Sequence, residues 1–483
     1  MLDWLAWALV KVFGGLACRL PPAVCVRIGE ALGGLAMYCR PKRVRIGLLN
    51  LKAVFGERLT PGEARRIIRG VFRNIGAGVM EMSRLPVIDK AYIDRYVELV
   101  GREHFDAAVA SGRPVIMLTA HFGNWELTSI IAALEGHPII ALARAQTGFP
   151  RLYRLLVSYR ESKGCWIVHK GIGMRRLVQA LKRGELAGVV GDQASRSGIL
   201  VDFFGRPALF ATGPFELARS NRALIVPGFI HRLRGPFHRG FLEPVIDLAQ
   251  EQGTADAVVR VGIERFAALL ERHIEQDPAQ WLWMHKRWKH TPARRVLVLS
   301  DGKLGHLKQA LTVLQALKEH SAFIQERVVE VRYRHRLGRL LAVLWAWLVP
   351  KGWGALACLR LALEPAAFRQ LACASADLVI SCGASAAAVN VLLSAENRAK
   401  SVVIMNPTPI PLRRFTLAFV PVHDRLPKRA NVVQLWGSLT SVNHGRFTEA
   451  REQLRTHPCF RPSARLRTVP SEPQRVEGRS PRS

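Results

Sequence analysis

Acidic residues are scarce in this chain. Its 483 residues hold 37 Asp and Glu against 70 Lys and Arg, a formal net charge of +33. Such a field draws nucleic acid, anionic lipid, or acidic proteins and cofactors, and the number alone does not choose among them. Also missing are the spacings that turn cysteine into a metal site or a redox pair. The eight cysteines (18, 25, 39, 165, 358, 373, 382 and 459) include no CxxC and no His/Cys cluster at zinc spacing. They read as reduced, buried thiols of a cytosol-facing protein, and no metal site is expected. A helix-turn-helix, RNP aromatics and zinc fingers are absent too, so the charge has no recognisable nucleic-acid reader behind it.

No apolar run reaches the roughly 20 residues that a membrane-spanning helix needs. The N-terminus, "MLDWLAWALVKVFGGLACRLPP", comes nearest, but it holds Asp3 and Lys11 and ends at Pro21-Pro22. It also lacks the basic start and small-residue cleavage site of a signal peptide. A helix lying in the membrane interface, with Trp4 and Trp7 at headgroup depth, fits it better. The basic "RPKRVR" that follows would contribute on the order of 1 kcal/mol per charge beside an anionic leaflet. Residues 1–40 are therefore expected to be a membrane-associated helical segment on the cytoplasmic face.

What is present is a repeating pattern. Residues 60–84 begin with Thr60, Pro61 and Glu63, the chemistry of a helix start, and carry apolar residues at helical spacing. From 97 to 232, short apolar runs ("RPVIMLTA", "HPIIALAR", "CWIVHK", "ELAGVVGDQ", "ALIVPGFIHR") alternate with helical segments. That alternation predicts an α/β domain over 41–292 with a mixed, mostly parallel sheet. A second strand–loop–helix unit starts at "VLVLSDGKLGHLKQAL" and runs over about 296–445, with a seam at Thr291-Pro292-Ala293. Within it, "LLAVLWAWLVP" (340–350) reads as a buried segment or a second membrane contact. The region 446–483, rich in Arg, Pro and Ser, reads as a disordered basic tail.

One stretch carries chemistry. "VIMLTAHFGNWE" ends an apolar strand with His121 and places Glu126 five residues on. On a helix five residues leave side chains about 140° apart, so the two meet only if the loop bends them together. The spacing itself is cheap. Fifteen histidines and 37 acids predict about one chance pair, and the chain has three: His121/Glu126, His238/Glu243 and His444/Glu449. His238 falls in an expected turn and His444 near the tail. Only His121 stands at the C-terminal end of a core strand, where open α/β sheets place their ligand crevices. Gly123 allows the turn, and Asn124 is a candidate cap for the next helix. In that geometry His121 would be a general base, with Glu126 fixing its tautomer.

"HFGNWE" resembles the signature of the lysophospholipid/lipid A acyltransferase family. The blocks "QALKRGELAGVVGDQASRSGILVDFFGRPALFATGPFELARSNRALIVPGFIHR" and "DPAQWLWMHKRWKHTP" resemble its later segments in order and spacing, over residues 1–292. The resemblance implies acyl transfer from a thioester, on acyl carrier protein or coenzyme A, to a lipid hydroxyl at a bacterial inner membrane. It needs no further cofactor. His121 is then the base and Glu126 its partner. Arg160 in "YRESKG" and Asp192 in "VGDQ" fall at functional positions. Arg144 and Arg232, at strand ends, are candidate phosphate holders. The acceptor is a lipid A precursor, a lysophospholipid or a related glycolipid.

The second unit, through "SDGKLGHLKQAL", "ADLVISCGASAAAVN", "KSVVIMNPTPIPLRRF" and "VPVHD", resembles the ELM-type mitochondrial fission family, which is related to two-domain glycosyltransferases. The chain carries the first Rossmann-like half. Its loop, with Asp301, Gly302, Lys303, Gly305 and His306, opens a helix whose N-terminus suits an anion. It lacks the GxxxxGK[ST] spacing of a nucleotide-phosphate loop. A glycosyltransferase with a membrane-targeting front domain is the alternative reading. It lacks a donor-nucleotide half.

Overall fold

The five apolar runs between 97 and 232 are strands of one sheet. The computed structural model describes residues 2–143, 148–169, 172–321, 323–349, 353–427 and 429–439. The first sheet has eight strands: β1 (Val97–Val100), β2 (Val115–Thr119), β3 (Ile139–Ala143), β4 (Cys165–His169), β5 (Leu186–Val190), β8 (Leu224–Arg234), β9 (Phe237–Leu242) and β10 (Ile246–Asp247). Between β5 and β8, the strands β6 (Gly198–Asp202) and β7 (Pro207–Ala211) form a separate hairpin.

The order across the large sheet is β1-β9-β8-β2-β5-β3-β4, with β10 also against β8. From β8 to β4 every pairing is parallel, whereas β9 and β10 run antiparallel to β8. The sheet is thus mixed and mostly parallel. β9 runs where the sequence suggested a turn. Its "FHRGFL" sets His, Arg and Gly between apolar residues, and His238 is buried within it. The core between this sheet and its helices is aromatic, with Phe122, Phe203, Phe210, Phe229, Trp281 and Trp283 all fully buried. Aromatic side chains bury the most area per residue, which suits a core spanned by a sheet and long helices.

Four helices precede the sheet: Leu2–Arg19, Pro22–Cys39, Pro41–Phe55 and Pro61–Ser83. The last begins as expected, with Thr60 and Glu63 forming a reciprocal capping box. The helices Pro22–Cys39 and Pro61–Ser83 cross at glycines. A Cβ on Gly33 would come 2.1 Å from the Phe72 carbonyl oxygen, and one on Gly76 equally close to that of Gly29. The first two helices leave Trp4, Val12, Phe13, Leu16, Leu32 and Leu35 about half exposed or more. No described helix is long and apolar enough to cross a membrane.

The second sheet begins at Arg294, just past the expected seam. Its strands β11 (Arg294–Ser300), β12 (Ile324–Glu330), β13 (Leu378–Cys382), β14 (Lys400–Ile404), β15 (Leu417–Pro421) and β16 (Val432–Leu435) are all parallel, in the order β12-β11-β13-β14-β15-β16. The units touch through Arg206 and Asp377 (3.3 Å) and through the Cys373 thiol on the Leu59 carbonyl (3.6 Å). Of the segment expected at 340–350, residues 340–348 belong to the helix Arg336–Leu348, which has one face buried and another open, and residue 350 lies outside the described residues.

The cysteines of the described residues are free thiols, but not uniformly buried, since Cys39 is exposed. Burial pushes the Cys165 and Cys382 thiols up to about 12. Arg144, the pair His444/Glu449 and the basic tail at 446–483 lie outside the described residues.

Candidate active site

Strand β2 delivers its C-terminus to a tight loop. Gly123 there has φ +58°, and a Cβ would lie 1.7 Å from the Ile230 carbonyl oxygen. Only glycine fits so close a backbone approach. A strap from near the end of the first unit closes over this loop. Gly123 N–H donates to the Gln280 carbonyl (2.9 Å), and Leu282 N–H donates to the His121 carbonyl (3.0 Å). The backbone around His121 is therefore held from both sides.

The side chain of His121 is fixed by the neighbouring strand. Its Nδ1 lies 2.6 Å from Oδ1 of Asp192, which follows β5, and its backbone N–H donates to Oδ2 of the same carboxylate (3.1 Å). Trp281 Nε1–H donates to Oδ2 as well, at 2.9 Å. Asp192 is fully buried. Burial alone would push its carboxyl up. The His121 charge, the His121 hydrogen bond, the His285 charge and the Trp281 bond together hold it well below the usual carboxylate range. An ionised Asp192 fixes the proton of His121 on Nδ1 and leaves Nε2 as the free base. Burial lowers the His121 pKa, but the Asp192 charge and hydrogen bond, with the Glu126 charge, raise it above its ordinary value.

Glu126 does not hold His121. It sits in the first turn of the helix Trp125–Leu134 and accepts two hydrogen bonds from Arg160, from Nε at 3.0 Å and Nη2 at 2.8 Å. The carboxylate on His121 Nδ1, expected to be that of Glu126, is that of Asp192. The reason is geometric: Glu126 is engaged by Arg160, whereas the end of the adjacent parallel strand β5 already faces Nδ1. The structure thus brings His121, Asp192, Glu126 and Arg160 to one end of the sheet. Trp125 adds an edge-on contact with the His121 ring at 5.0 Å, and the Gln193 amide lies 3.3 Å from Nε2.

Two other expectations are corrected. Arg232 is no free phosphate holder. It is buried and forked onto Glu81, with Nη1 on Oε1 at 2.9 Å and Nη2 on Oε2 at 2.5 Å, and its Nε donates to Asn74 Oδ1 at 3.0 Å. A buried guanidinium needs such a partner, and this one consumes it. Asn124 does not cap its helix with its side chain, because Asn124 Nδ2–H donates instead to Glu81 Oε2 at 2.7 Å. The chance pair His238/Glu243 is not a pair either. His238 Nδ1 bonds the Pro236 carbonyl, while Glu243 takes Arg272 and His273.

Trp281, Gln193 and Glu81 were missed from sequence. Trp281 lies in the quoted "WLWMHKRW" block, but nothing local shows that its indole reaches Asp192. In the second unit, the expected loop follows β11. His306 Nδ1 lies 2.9 Å from Asp301 Oδ2, Gly302 has φ +83°, and Lys303 N–H donates to Asp301 Oδ1 (3.3 Å). Gly305 falls in the first turn of the helix Leu304–His320.

Comparison with known proteins matches this architecture in two parts. The family model described as bacterial lipid A biosynthesis acyltransferase matches residues 1–290. The model described as mitochondrial fission ELM1 matches residues 304–468. Among curated proteins, the lipid A biosynthesis lauroyltransferase of Escherichia coli K12 is 27% identical over 296 residues, which are 60% of this chain and 92% of that protein. The phosphatidylinositol mannoside acyltransferase of Mycobacterium tuberculosis H37Rv is 27% identical over 293 residues, 58% of this chain and 88% of that protein. The lipid A biosynthesis palmitoleoyltransferase of E. coli K12 is 23% identical over 298 residues, 60% and 92% respectively.

Proposed function

The chain belongs to the bacterial lipid A biosynthesis acyltransferase family and is an acyltransferase, and from that premise we propose how it works and on what. His121 Nε2 takes the proton of an acceptor hydroxyl as that oxygen attacks the carbonyl of an acyl thioester. The tetrahedral intermediate collapses, the C–S bond breaks, and the imidazolium returns its proton to the leaving sulfur. Asp192 keeps Nδ1–H in place and stabilises the imidazolium between the two transfers. The observation that carries this reading is the 2.6 Å contact between His121 Nδ1 and a buried, ionised carboxylate at the end of the adjacent strand. A positioned general base of this kind contributes typically 10²–10⁴ in rate.

The Glu126–Arg160 pair flanks the base and positions the carbonyl or the donor's phosphates. An apolar pocket lined by Met117, Ile131, Phe229, Ile230, Phe241 and Leu242 offers the acyl chain a hydrocarbon surface. It lies along the same strand β8 whose Ile230 carbonyl packs against Gly123, and His121, Asp192, Glu126 and Arg160 are not among its lining residues. The donor is an acyl carrier protein or coenzyme A thioester, either of which suits the +33 charge. The acceptor is a lipid A precursor, a lysophospholipid or a related glycolipid at the cytoplasmic face of the inner membrane. The exposed apolar residues of the first two helices dock there.

The test is direct. Purified chain is given labelled acyl-acyl carrier protein or acyl-coenzyme A with a lipid A precursor or a lysophospholipid, and the product is read by mass spectrometry. Label transferred by the native chain but not by His121→Ala supports the reading. Full activity in His121→Ala rules it out.

A further inference from the structure

The helix Arg336–Leu348 of the second unit carries large apolar residues on its open face as well as on its packed one. Its small residues Gly338, Ala342 and Ala346 are buried, and it packs on the helices Ala355–Ala362 and Gly383–Asn397. A Cβ on Gly338 would meet the Ala362 carbonyl oxygen at 2.6 Å, so the inward face is packed tightly. Leu341, Val343 and Trp345 are partly buried against the core, whereas five other large residues point away. Leu337, Leu340, Leu344, Trp347 and Leu348 are 48–72% exposed. At 100° per residue they fall within an arc of about 100°, a continuous stripe. Beyond the helix Trp353 is 78% exposed, and its carbonyl accepts a hydrogen bond from Trp345 Nε1 at 2.8 Å. No described element covers this face, and an apolar patch of this kind marks a contact surface.

Charge says which contact. The helix "RLGRLLAVLWAWL" contains no acidic residue, and its Arg336 and Arg339 are exposed. At its other end Arg414 is tied to the Val349 carbonyl at 2.8 Å, and on the next helix Arg360 is exposed. Leucines in a stripe, tryptophans at one end and arginines around the rim match an interface of hydrocarbon, headgroup and phosphate. Thirteen residues are too few to cross a bilayer but enough to lie along one.

We propose that this face is a second membrane-contact surface, lying in the plane of an anionic bilayer with Leu337, Leu340 and Leu344 below the headgroups, Trp347 and Trp353 among them, and Arg336 and Arg339 on the lipid phosphates. The proposal concerns the second unit and stands apart from the acyl-transfer chemistry. It seats both units on the membrane that supplies the lipid, through contacts separate from the first two helices.

Hydrogen exchange on the full chain tests it, with and without vesicles of phosphatidylethanolamine and phosphatidylglycerol. Exchange in peptides from 336–348 is expected to slow on these vesicles. The double variant Leu344→Glu/Trp347→Glu, which alters only exposed side chains, is expected to bind them about tenfold more weakly while keeping its melting temperature. Replacing phosphatidylglycerol with phosphatidylcholine should weaken binding by about fivefold for each arginine engaged. Slowing confined to residues 2–39, with 336–348 unchanged, overturns the proposal. So does a segment already protected without lipid in a dimer that the double variant dissociates, because the occupant is then a second copy.

Discussion

His121 and Asp192 face each other from the ends of two adjacent parallel strands, with Nδ1 and Oδ1 2.6 Å apart. The carboxylate that lies nearer in sequence, Glu126, binds Arg160 instead. The two acids thus have separate tasks, and substitution should separate them. His121→Ala is expected to lower kcat by roughly 10³-fold or more, the scale of a lost general base. Asp192→Asn, which keeps the shape but frees the tautomer, should cost about 10²–10⁴ while circular dichroism and melting remain near native.

The same relationship sets a pH dependence. The base works with Nε2 unprotonated, so kcat/KM should fall as pH drops through the His121 pKa, which Asp192 raises. In Asp192→Asn the raising charge is gone and burial remains. The acidic limb should then move to lower pH, measurable on the residual activity. A limb that stays in place would mean that another group titrates there.

Glu126 and Arg160 behave as one unit. Glu126→Gln leaves the guanidinium unpaired, and Arg160→Gln leaves the carboxylate so. Each is expected to cost about tenfold in kcat/KM, less than Asp192→Asn, and the double variant should cost no more than either single. Multiplying losses would show that the two side chains act independently.

The strands of the parallel sheet were legible because each is a short apolar run buried on both faces, such as "VIMLT" and "ELAGVVG". β1 and β9 were not, since "VELV" is only four residues long and "FHRGFL" breaks its apolar residues with His, Arg and Gly. The position of His121 was legible too, through a strand end, a glycine turn and a helix start. Its partner was not, because β5 lies beside β2 only through a crossover that no local pattern encodes. Likewise, Arg232 looks like a strand-end cation in sequence. Its occupation by Glu81, 151 residues away, is purely tertiary.

That buried pair makes a stability prediction. Arg232→Met should destabilise the chain by about 3–5 kcal/mol, because it leaves the Glu81 carboxylate buried without its fork. The paired change Glu81→Leu/Arg232→Met should recover much of the loss, since no lone charge remains. Thermal melts of the native chain and the two variants decide it. If the double variant melts as low as the single, packing and not the ion pair governs the site.

Acid should destabilise the fold through its buried histidines before the ordinary carboxylates titrate. His238 is buried beside Glu81 and Arg232, and burial, against the Glu81 charge, lowers its pKa from 6.5 to about 4. His231, whose Nε2 lies 2.8 Å from His273 Nδ1, is lowered to about 4 as well, by burial and then by the His273 charge. Between about pH 6.5 and about 4 the unfolded chain therefore binds protons that the folded chain refuses, and stability falls as pH falls through that window. For His238 the full drop is about 3 kcal/mol, at 1.36 kcal/mol per pH unit. The loss is complete near pH 4 and absent above 6.5, the opposite of a histidine stabilised by its charge. Urea melts across this range measure the slope. His238→Phe, which removes the titrating ring, should flatten it, whereas an unchanged slope would place the proton uptake elsewhere.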